Sequence, residues 1–427
     1  MNHWYEKFQY AFVWSSVEAI GYQLILLCHE WFLSLYVSGD FYGYIGTILA
    51  IIFLATNVFN FGLYQSWQPF FVEATRSKET FRQVILRQLC INIALLATLP
   101  PLFFMLLGSH YSRLLDILAI SNDRMWVLNI MWLLIMTEGM KRTIRHLLYV
   151  PFKNKPLAFI EIGTLILYCS IVWTSYGIVG SLSFTQILVP FAILSILSLG
   201  VLCILTKQYY DTLPSHGTLK EPIFARILFH RISCTFYQIL SQLSSSNLWI
   251  PLFASIFDIQ RAGILTLVSH GSYSLSRIIQ KLFGTTSGAA FAHIRYHGPL
   301  QKQRLFHKIN RVLYITLGGI IIMFAATYPY MRSHFDVPST TWIPLSIFLI
   351  VHFTENILVT YREFFFVEER AHIFTAYTTL GTLVLFSVLP WLWSFSPLHA
   401  LVGTLAIRAG TLGMISLYAY RMWKLRL

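Results

Sequence analysis

Several ionisable residues interrupt long apolar segments of this chain, and they are the first candidates for chemistry. Because a charged side chain at the centre of a bilayer costs roughly 2.5–3.5 kcal/mol, such residues normally face a cavity or a partner. In the first apolar segment, Glu18 and His29 are eleven residues apart, which places them three turns apart on one helix face, and Glu30 follows. A carboxylate and a histidine on one face could take up a proton and couple it to movement. Alternatively, His29 and Glu30 lie near the membrane boundary and are simply solvated.

Two other apolar segments carry ionisable residues. His352 and Glu355 are spaced i,i+3 and are therefore neighbours on one helix face. They could form a site for gradient coupling or sugar binding, or a local pair that satisfies itself. Glu161 lies early in its segment, where it could take part in coupling, cap the helix or reach toward Lys155.

Motifs typical of enzymes and metal sites do not occur in the sequence. There is no phosphate-binding glycine loop, no HExxH and no GxSxG. The five cysteines show no CxxC or histidine-paired spacing, so buried free thiols are expected. We therefore expect no catalytic residues, no metal and no cofactor, and a protein that is not an enzyme.

The composition indicates an integral membrane protein. Of the 427 residues, 56% are apolar and only 11% are charged, whereas soluble domains contain about 25% charged residues. The segment from Ile162 to Thr206 contains no Asp, Glu, Lys or Arg, and neither does the segment from Ala371 to Ile407. A spanning helix needs about 20 mostly apolar residues, so each segment can hold two spans. An ordinary soluble enzyme, a disordered chain and a nucleic-acid-binding domain are excluded.

The apolar segments predict an all-α protein of about twelve transmembrane helices. Their approximate positions are 12–37, 42–64, 88–108, 122–140, 157–174, 183–206, 232–256, 262–280, 312–330, 341–361, 371–393 and 399–420. The loops between these twelve spans alternate between loops rich in Lys and Arg and loops with few of them. With the N-terminus inside, 26 of the 31 Lys and Arg fall in segments on the cytoplasmic side and four in outside loops.

The charge distribution therefore predicts that both termini are cytoplasmic and that the protein lies in the inner (plasma) membrane. The net charge of +13 then reflects the basic loops on the cytoplasmic side of the membrane. Anionic lipid headgroups at the inner face are expected partners of these loops. Nucleic acid is not expected as a partner.

The sequence also contains a weak internal repeat. Asp40 opens a short motif after the first span, and Asp258 opens another after the seventh, 218 residues on. Because each half holds six spans, both halves start on the same side of the membrane, which predicts a parallel repeat. We expect two six-helix lobes, 1–210 and 211–427, around a central cavity.

Four short motifs carry a resemblance to a known family. They are Ser38-Gly-Asp-Phe-Tyr-Gly43, Asn60-Phe-Gly-Leu63, the basic stretch from Thr75 to Arg87, and Tyr176-Gly-Ile-Val-Gly180. With these features, the chain resembles the polysaccharide flippases that move O-antigen and capsule units. These flippases belong to the multidrug/oligosaccharidyl-lipid/polysaccharide exporter superfamily.

The resemblance implies a flippase that moves polyprenyl-pyrophosphate-linked oligosaccharides from the inner to the outer leaflet. Alternating access driven by an ion gradient would power it, and a glycan polymerase or glycosyltransferases would be further partners. The alternative is a proton- or sodium-coupled exporter of small amphiphilic compounds from the drug-export branch of the same superfamily. A membrane-embedded glycosyltransferase or polymerase and a non-transporting scaffold are more distant alternatives.

Three arginines are the candidate substrate-binding residues. Arg408 lies well within a predicted span, and its guanidinium requires an anion there. That anion could be the carboxylate of Glu355, in a structural pair, or the substrate pyrophosphate, which suits the fork of arginine. Arg226 and Arg231 enter the seventh span from the cytoplasm, where they could meet the diphosphate or act only as ordinary positive flanks.

Overall fold

A computed structural model describes the chain over 2–106, 126–215, 223–242, 246–256, 276–295, 298–334, 355–395 and 397–425, with positions 259, 263, 266 and 274. The expected all-α fold is confirmed, and the described residues contain no strand. The first six helices are α1 (Asn2–Tyr36), α2 (Gly39–Phe59), α3 (Leu63–Trp67), α4 (Phe71–Ala74), α5 (Lys78–Phe81) and α6 (Arg87–Leu106). The next five are α7 (Trp126–Tyr149), α8 (Asn154–Val179), α9 (Phe184–Asp211), α10 (Ile223–Gln242) and α11 (Ser246–Ile256). The last five are α12 (Thr286–Ile294), α13 (Pro299–His334), α14 (Val359–Val367), α15 (Ala371–Phe395) and α16 (Pro397–Leu425).

Six helical segments in the described residues are individually long and apolar enough to cross a membrane. They are Glu6–Tyr36, Gly39–Phe59, Lys78–Leu102, Asn154–Val179, Phe184–Asp211 and Ala371–Leu392. The described helices follow the order of the predicted spans, in keeping with the twelve-helix, two-lobe architecture. The boundaries differ at several spans: α13 begins 13 residues before the predicted start at 312, and α7 continues nine residues beyond the predicted end at 140.

The connections that follow the even-numbered spans meet at one face of the bundle, which we call the basic face. There, His293 contacts the Val150 carbonyl with 2.9 Å between Nε2 and O, and Arg295 donates to the Pro69 carbonyl. The Lys78 amide donates to the Pro214 carbonyl at 2.7 Å. These contacts join connections that lie far apart in sequence but follow spans 2, 4, 6 and 8. The fold therefore agrees with the prediction that these connections lie on the same side of the membrane.

The two halves of the chain also pack together near the opposite face, through small residues. A Cβ at Gly43 would collide with the carbonyl of Ile259, and one at Gly46 would lie 2.5 Å from the Thr266 hydroxyl oxygen. A Cβ at Gly263 would lie 3.3 Å from the Gly43 Cα. Because α2 approaches Ile259, Gly263 and Thr266 so closely, larger side chains at Gly43, Gly46 and Gly263 would force the halves apart.

Helix α2 ends in a sharp break at Gly62, and the second half has a π-helical segment at the corresponding position. Gly62 has a φ of +59°, and a Cβ there would lie 2.7 Å from the backbone of Cys234 and Thr235. Both the backbone conformation and the close approach of α10 therefore require glycine. At the predicted repeat offset of 218 residues, the corresponding position is Gln280, the first residue of a π-helical segment, Gln280–Thr285. Such π segments frequently mark functional sites.

The close approach at Gly43 predicts an asymmetric response to substitution. Gly43→Ala should lower thermal stability by about 1–3 kcal/mol, because the new methyl group must displace the backbone at Ile259. Gly200→Ala on α9 is the matched control, since nothing lies within 4 Å of its Cβ position. The control should be neutral or slightly stabilising. Thermal unfolding of the purified protein in detergent measures both, and equal shifts would contradict the packing at Gly43.

Candidate functional site

A cavity of about 500 Å³ lies between the two halves of the chain. Its walls come from α1, α2, α7, α8 and α9 of the first half and from α10, the π segment, α14, α15 and α16 of the second. The volume lies within the range of roughly 300–1,000 Å³ that small-molecule sites occupy. Apolar side chains such as Leu26, Leu49 and Phe53 line it together with many ionisable groups.

Cations outnumber carboxylates among the described residues that line this cavity. The five carboxylates are Glu30, Glu138, Glu161, Glu355 and Glu363, and the seven cations are Lys141, Arg142, Arg145, Arg277, Lys281, Arg362 and Arg408. His29 and His146 also face it. The cavity is therefore both charged and apolar, with an excess of positive charge.

The fully buried carboxylate of Glu18 is held by groups from both halves. Arg145 Nη2 lies 3.0 Å from Glu18 Oε1, and the Tyr149 hydroxyl donates to the same carboxylate at 2.9 Å. From the second half, Lys281 Nζ lies 2.5 Å from Glu18 Oε1. Arg145 also pairs with Glu161, with 3.0 Å between Nη1 and Oε2. The network thus brings the candidates Glu18 and Glu161 together and joins the two halves of the molecule.

Helix α7 supplies most of the cations on the first-half side of the cavity. Lys141 Nζ lies 2.8 Å from Glu138 Oε1, and the Ser195 hydroxyl donates to the same oxygen at 2.6 Å. The predicted fourth span ends at 140 and leaves Lys141, Arg142 and Arg145 outside it. This boundary is wrong, because the helix runs on to Tyr149 and carries all three residues. These residues are spaced three and four positions apart, and 140–150 contains no glycine or proline. This continuation of the helical pattern is the signal that could have found them.

The other two candidates on α1 have their own partners. The Trp173 indole N–H donates to His29 Nδ1 at 3.1 Å, and the Tyr42 hydroxyl donates to Glu30 Oε2 at 2.6 Å. Both residues are buried, and both line the cavity. Eleven residues of helix separate Glu18 from His29 by roughly 16 Å, so the two do not form one proton site.

In the second half, Arg408 lies beside a carboxylate. Its Nη2 and Nε lie 3.3 and 3.4 Å from Glu355 Oε1, which is the structural pairing that was one of the two alternatives for this arginine. Arg362 Nη2 lies 2.9 Å from Glu363 Oε1. His352 lies outside the described residues, so its contact with Glu355 stays a prediction.

The two remaining arginine candidates lie elsewhere in the described structure. Arg226 pairs with Glu369, to which Arg295 also donates, and Arg231 donates from Nε to the Phe61 carbonyl at 3.3 Å. Arg231 Nη1 donates to Gln88 at 2.5 Å. Neither arginine is among the described residues that line the cavity.

Several solved structures that superpose on this chain are MATE transporters. The chain superposes on a eukaryotic MATE transporter, AtDTX14, with a TM-score of 0.66 and 13% identity, over 99% of both chains. A mutant form of the Vibrio cholerae MATE transporter VcmN gives a TM-score of 0.65 and 11% identity, over 100% of this chain and 97% of that one. A multidrug resistance MATE family transporter of the MOP superfamily, in an outward-facing conformation, gives 0.64 and 9%, over 97% and 95%. No protein-family model and no curated protein matches the sequence.

These comparisons correct the expected function. The expectation of a lipid-linked oligosaccharide flippase is wrong, because AtDTX14, VcmN and the outward-facing structure are all MATE transporters. They favour the alternative, export of small amphiphiles. The cavity volume agrees with this correction, since about 500 Å³ is typical of a site for a small molecule.

The Glu18 network predicts unequal effects of removing its members. Glu18→Gln should destabilise the protein by about 3–5 kcal/mol, because Arg145 and Lys281 then lose a buried counter-charge. Lys281→Met should cost less, since Glu18 keeps Arg145 and Tyr149. The double variant should cost less than the sum of the two. Thermal unfolding measures this, with the exposed Glu79→Gln as control; additive effects would contradict the contact.

The pairing of Glu369 predicts a pH-dependent stability at the basic face. Burial alone would raise the pKa of Glu369, but hydrogen bonds from Arg226 and Arg295 outweigh it and lower the pKa. A carboxylate with a lowered pKa stabilises the folded state at pH values above its pKa in the unfolded chain. This stabilisation is lost as the pH falls through its pKa in the folded protein. Glu369→Gln should therefore unfold at lower temperature than wild type at pH 7. The difference should vanish in acid; a difference that persists there would exclude the carboxylate as its cause.

Proposed function

We propose that this chain is a multi-pass membrane transporter that exports small amphiphilic compounds, driven by a proton or sodium gradient. The observation that carries the proposal is the cavity between the two halves, whose walls combine apolar side chains with buried ionisable groups. Amphiphiles present the same two kinds of surface. The protein acts as a carrier and not as an enzyme.

The fold supports this proposal. The chain superposes over nearly its whole length on proteins described as MATE and multidrug resistance transporters. A carrier of the same kind would have this arrangement of helices. One of these proteins belongs to the same superfamily that the sequence motifs resemble. We place this chain in that superfamily and in the plasma membrane, with both termini in the cytoplasm and anionic lipids against the basic face.

Alternating access has a structural basis in two separate sets of contacts between the halves. Near one face, Gly43 packs against Ile259, and near the basic face His293 and Arg295 contact carbonyls of the first half. Parting either set while the other stays closed would open the cavity to one side of the membrane only. This is the rocking of one repeat against the other around a central site.

Glu18 is suited to couple this movement to a proton gradient. Its carboxylate is buried, and it holds Lys281 of the second half together with Arg145 of the first. A proton on Glu18 would remove the negative charge that attracts Lys281, and this would weaken the joint between the halves. A proton taken up from one side could in this way change which contacts stay closed.

Reconstitution into liposomes tests the proposal. With an imposed pH or sodium gradient, wild-type protein should move members of a panel of cationic, neutral and anionic amphiphilic dyes across the membrane. Glu18→Gln, which mimics a permanently protonated carboxylate, should slow gradient-driven transport by about tenfold or more while dye binding is retained. Glu79→Gln is the matched control, because its carboxylate is exposed. The absence of gradient-dependent movement of any dye by wild type would overturn the proposed function.

A further inference from the structure

We propose that the exported amphiphiles carry an anionic group, a carboxylate, sulfonate or phosphate, which binds to four cations that meet around His146 in the cavity. These cations are Arg142, Arg145, Lys281 and Arg362. This inference rests on the proposed function and names the charge of its substrate. It selects anionic over cationic compounds within the class of small amphiphiles.

The four cations come from both halves of the chain and converge on one part of the cavity. Arg142 and Arg145 lie on α7, Lys281 lies in the π segment, and Arg362 lies on α14. All four line the cavity, as does the His146 ring, and Arg142 lies one helical turn before His146. Arg145 and Lys281 meet at the Glu18 carboxylate, and a Cβ at Gly284, in the π segment that carries Lys281, would lie 3.7 Å from Arg362 Nη2. A group bound beside His146 would therefore be contacted from both halves, as a transported substrate must be.

Positive charge exceeds negative charge around this cavity among the residues that the structure describes. Arg145 and Lys281 both contact Glu18, and Arg145 also pairs with Glu161. Arg362 pairs with Glu363. The lining holds seven cations and five carboxylates, and the adjacent Glu18 brings the carboxylates only to six.

Arg142 occupies the boundary between the polar and apolar walls. It donates to the neutral amide oxygen of Asn57, and its guanidinium lies over the Phe53 ring, 5.4 Å from the ring centroid. Asn57 in turn donates to Gln242 of the second half at 3.3 Å. An amphiphile could place its charged end at Arg142 and its apolar body against Phe53 and the adjoining Leu49.

The physical reason for selection is the cost of excess charge away from water. Positive charges that outnumber their counter-ions in a low-dielectric cavity are stabilised by an anion, and bidentate bonds from arginine suit an oxyanion. A cationic amphiphile would add to the excess and be repelled. The cavity should therefore bind an anion more tightly than a cation of the same shape.

Binding of two dyes with the same ring system tests this inference on the purified, full-length protein in a neutral detergent. Eosin Y is anionic and rhodamine 6G is cationic, and fluorescence anisotropy reports both. Eosin Y should bind about tenfold more tightly, and added salt should weaken its binding. Tighter or equal binding of rhodamine 6G, or no binding of eosin Y, would overturn the inference without any variant.

Variants then locate the anionic group. Arg142→Gln should weaken eosin Y binding by about tenfold, whereas Arg142→Lys should retain most of it. Arg311→Gln, which removes an equal charge from an exposed position on α13, should leave binding unchanged. Equal losses in Arg142→Gln and Arg311→Gln would contradict a site at Arg142. Intact eosin Y binding without gradient-driven transport would count against the proposed function alone, whereas transport with a preference for rhodamine 6G would count against this inference alone.

Discussion

The contact of Glu18 with Arg145 and Lys281 is the interaction on which the arrangement of the cavity depends. A carboxylate with no exposed surface must be compensated, and here the compensation comes from both halves of the chain. The tie positions the π segment that carries Lys281 against α1, and it orients the α7 residues that face the cavity. The ion pair of Lys141 with Glu138, in contrast, lies within the first half and does not hold the two halves together.

The two sets of contacts between the halves use different physics. Near the face opposite the basic face, glycines let backbones approach, and the attraction is van der Waals packing that does not depend on pH or salt. Toward the basic face, the contacts include an ion pair and hydrogen bonds to carbonyl groups. Contacts that depend on charge are therefore concentrated in one of the two sets. Glu18 and Gly43 represent the two kinds of contact.

Short sequence motifs in this chain reflect helix geometry and do not identify a substrate. The turn at Asp40 and the break at Gly62 report how helices end and pack, and similar geometry serves any substrate. The substrate is decided by the volume and charge of the cavity, which combine residues from distant parts of the chain. Arg408 illustrates this, because the carboxylate beside it, Glu355, lies 53 residues away and occupies the guanidinium that was offered to a substrate.

The sequence by itself determined the membrane class, the all-α fold and the order of the spans, because these follow from apolar composition and segment length, which are local properties. It also identified Glu18, Glu161 and Glu355 as carboxylates within apolar segments, since ionisable residues are conspicuous there. Only the tertiary structure decided which charges meet. Arg226 pairs with Glu369 across 143 residues, and Arg142 faces the cavity rather than a loop, because helix packing sets these distances and the linear order of residues does not.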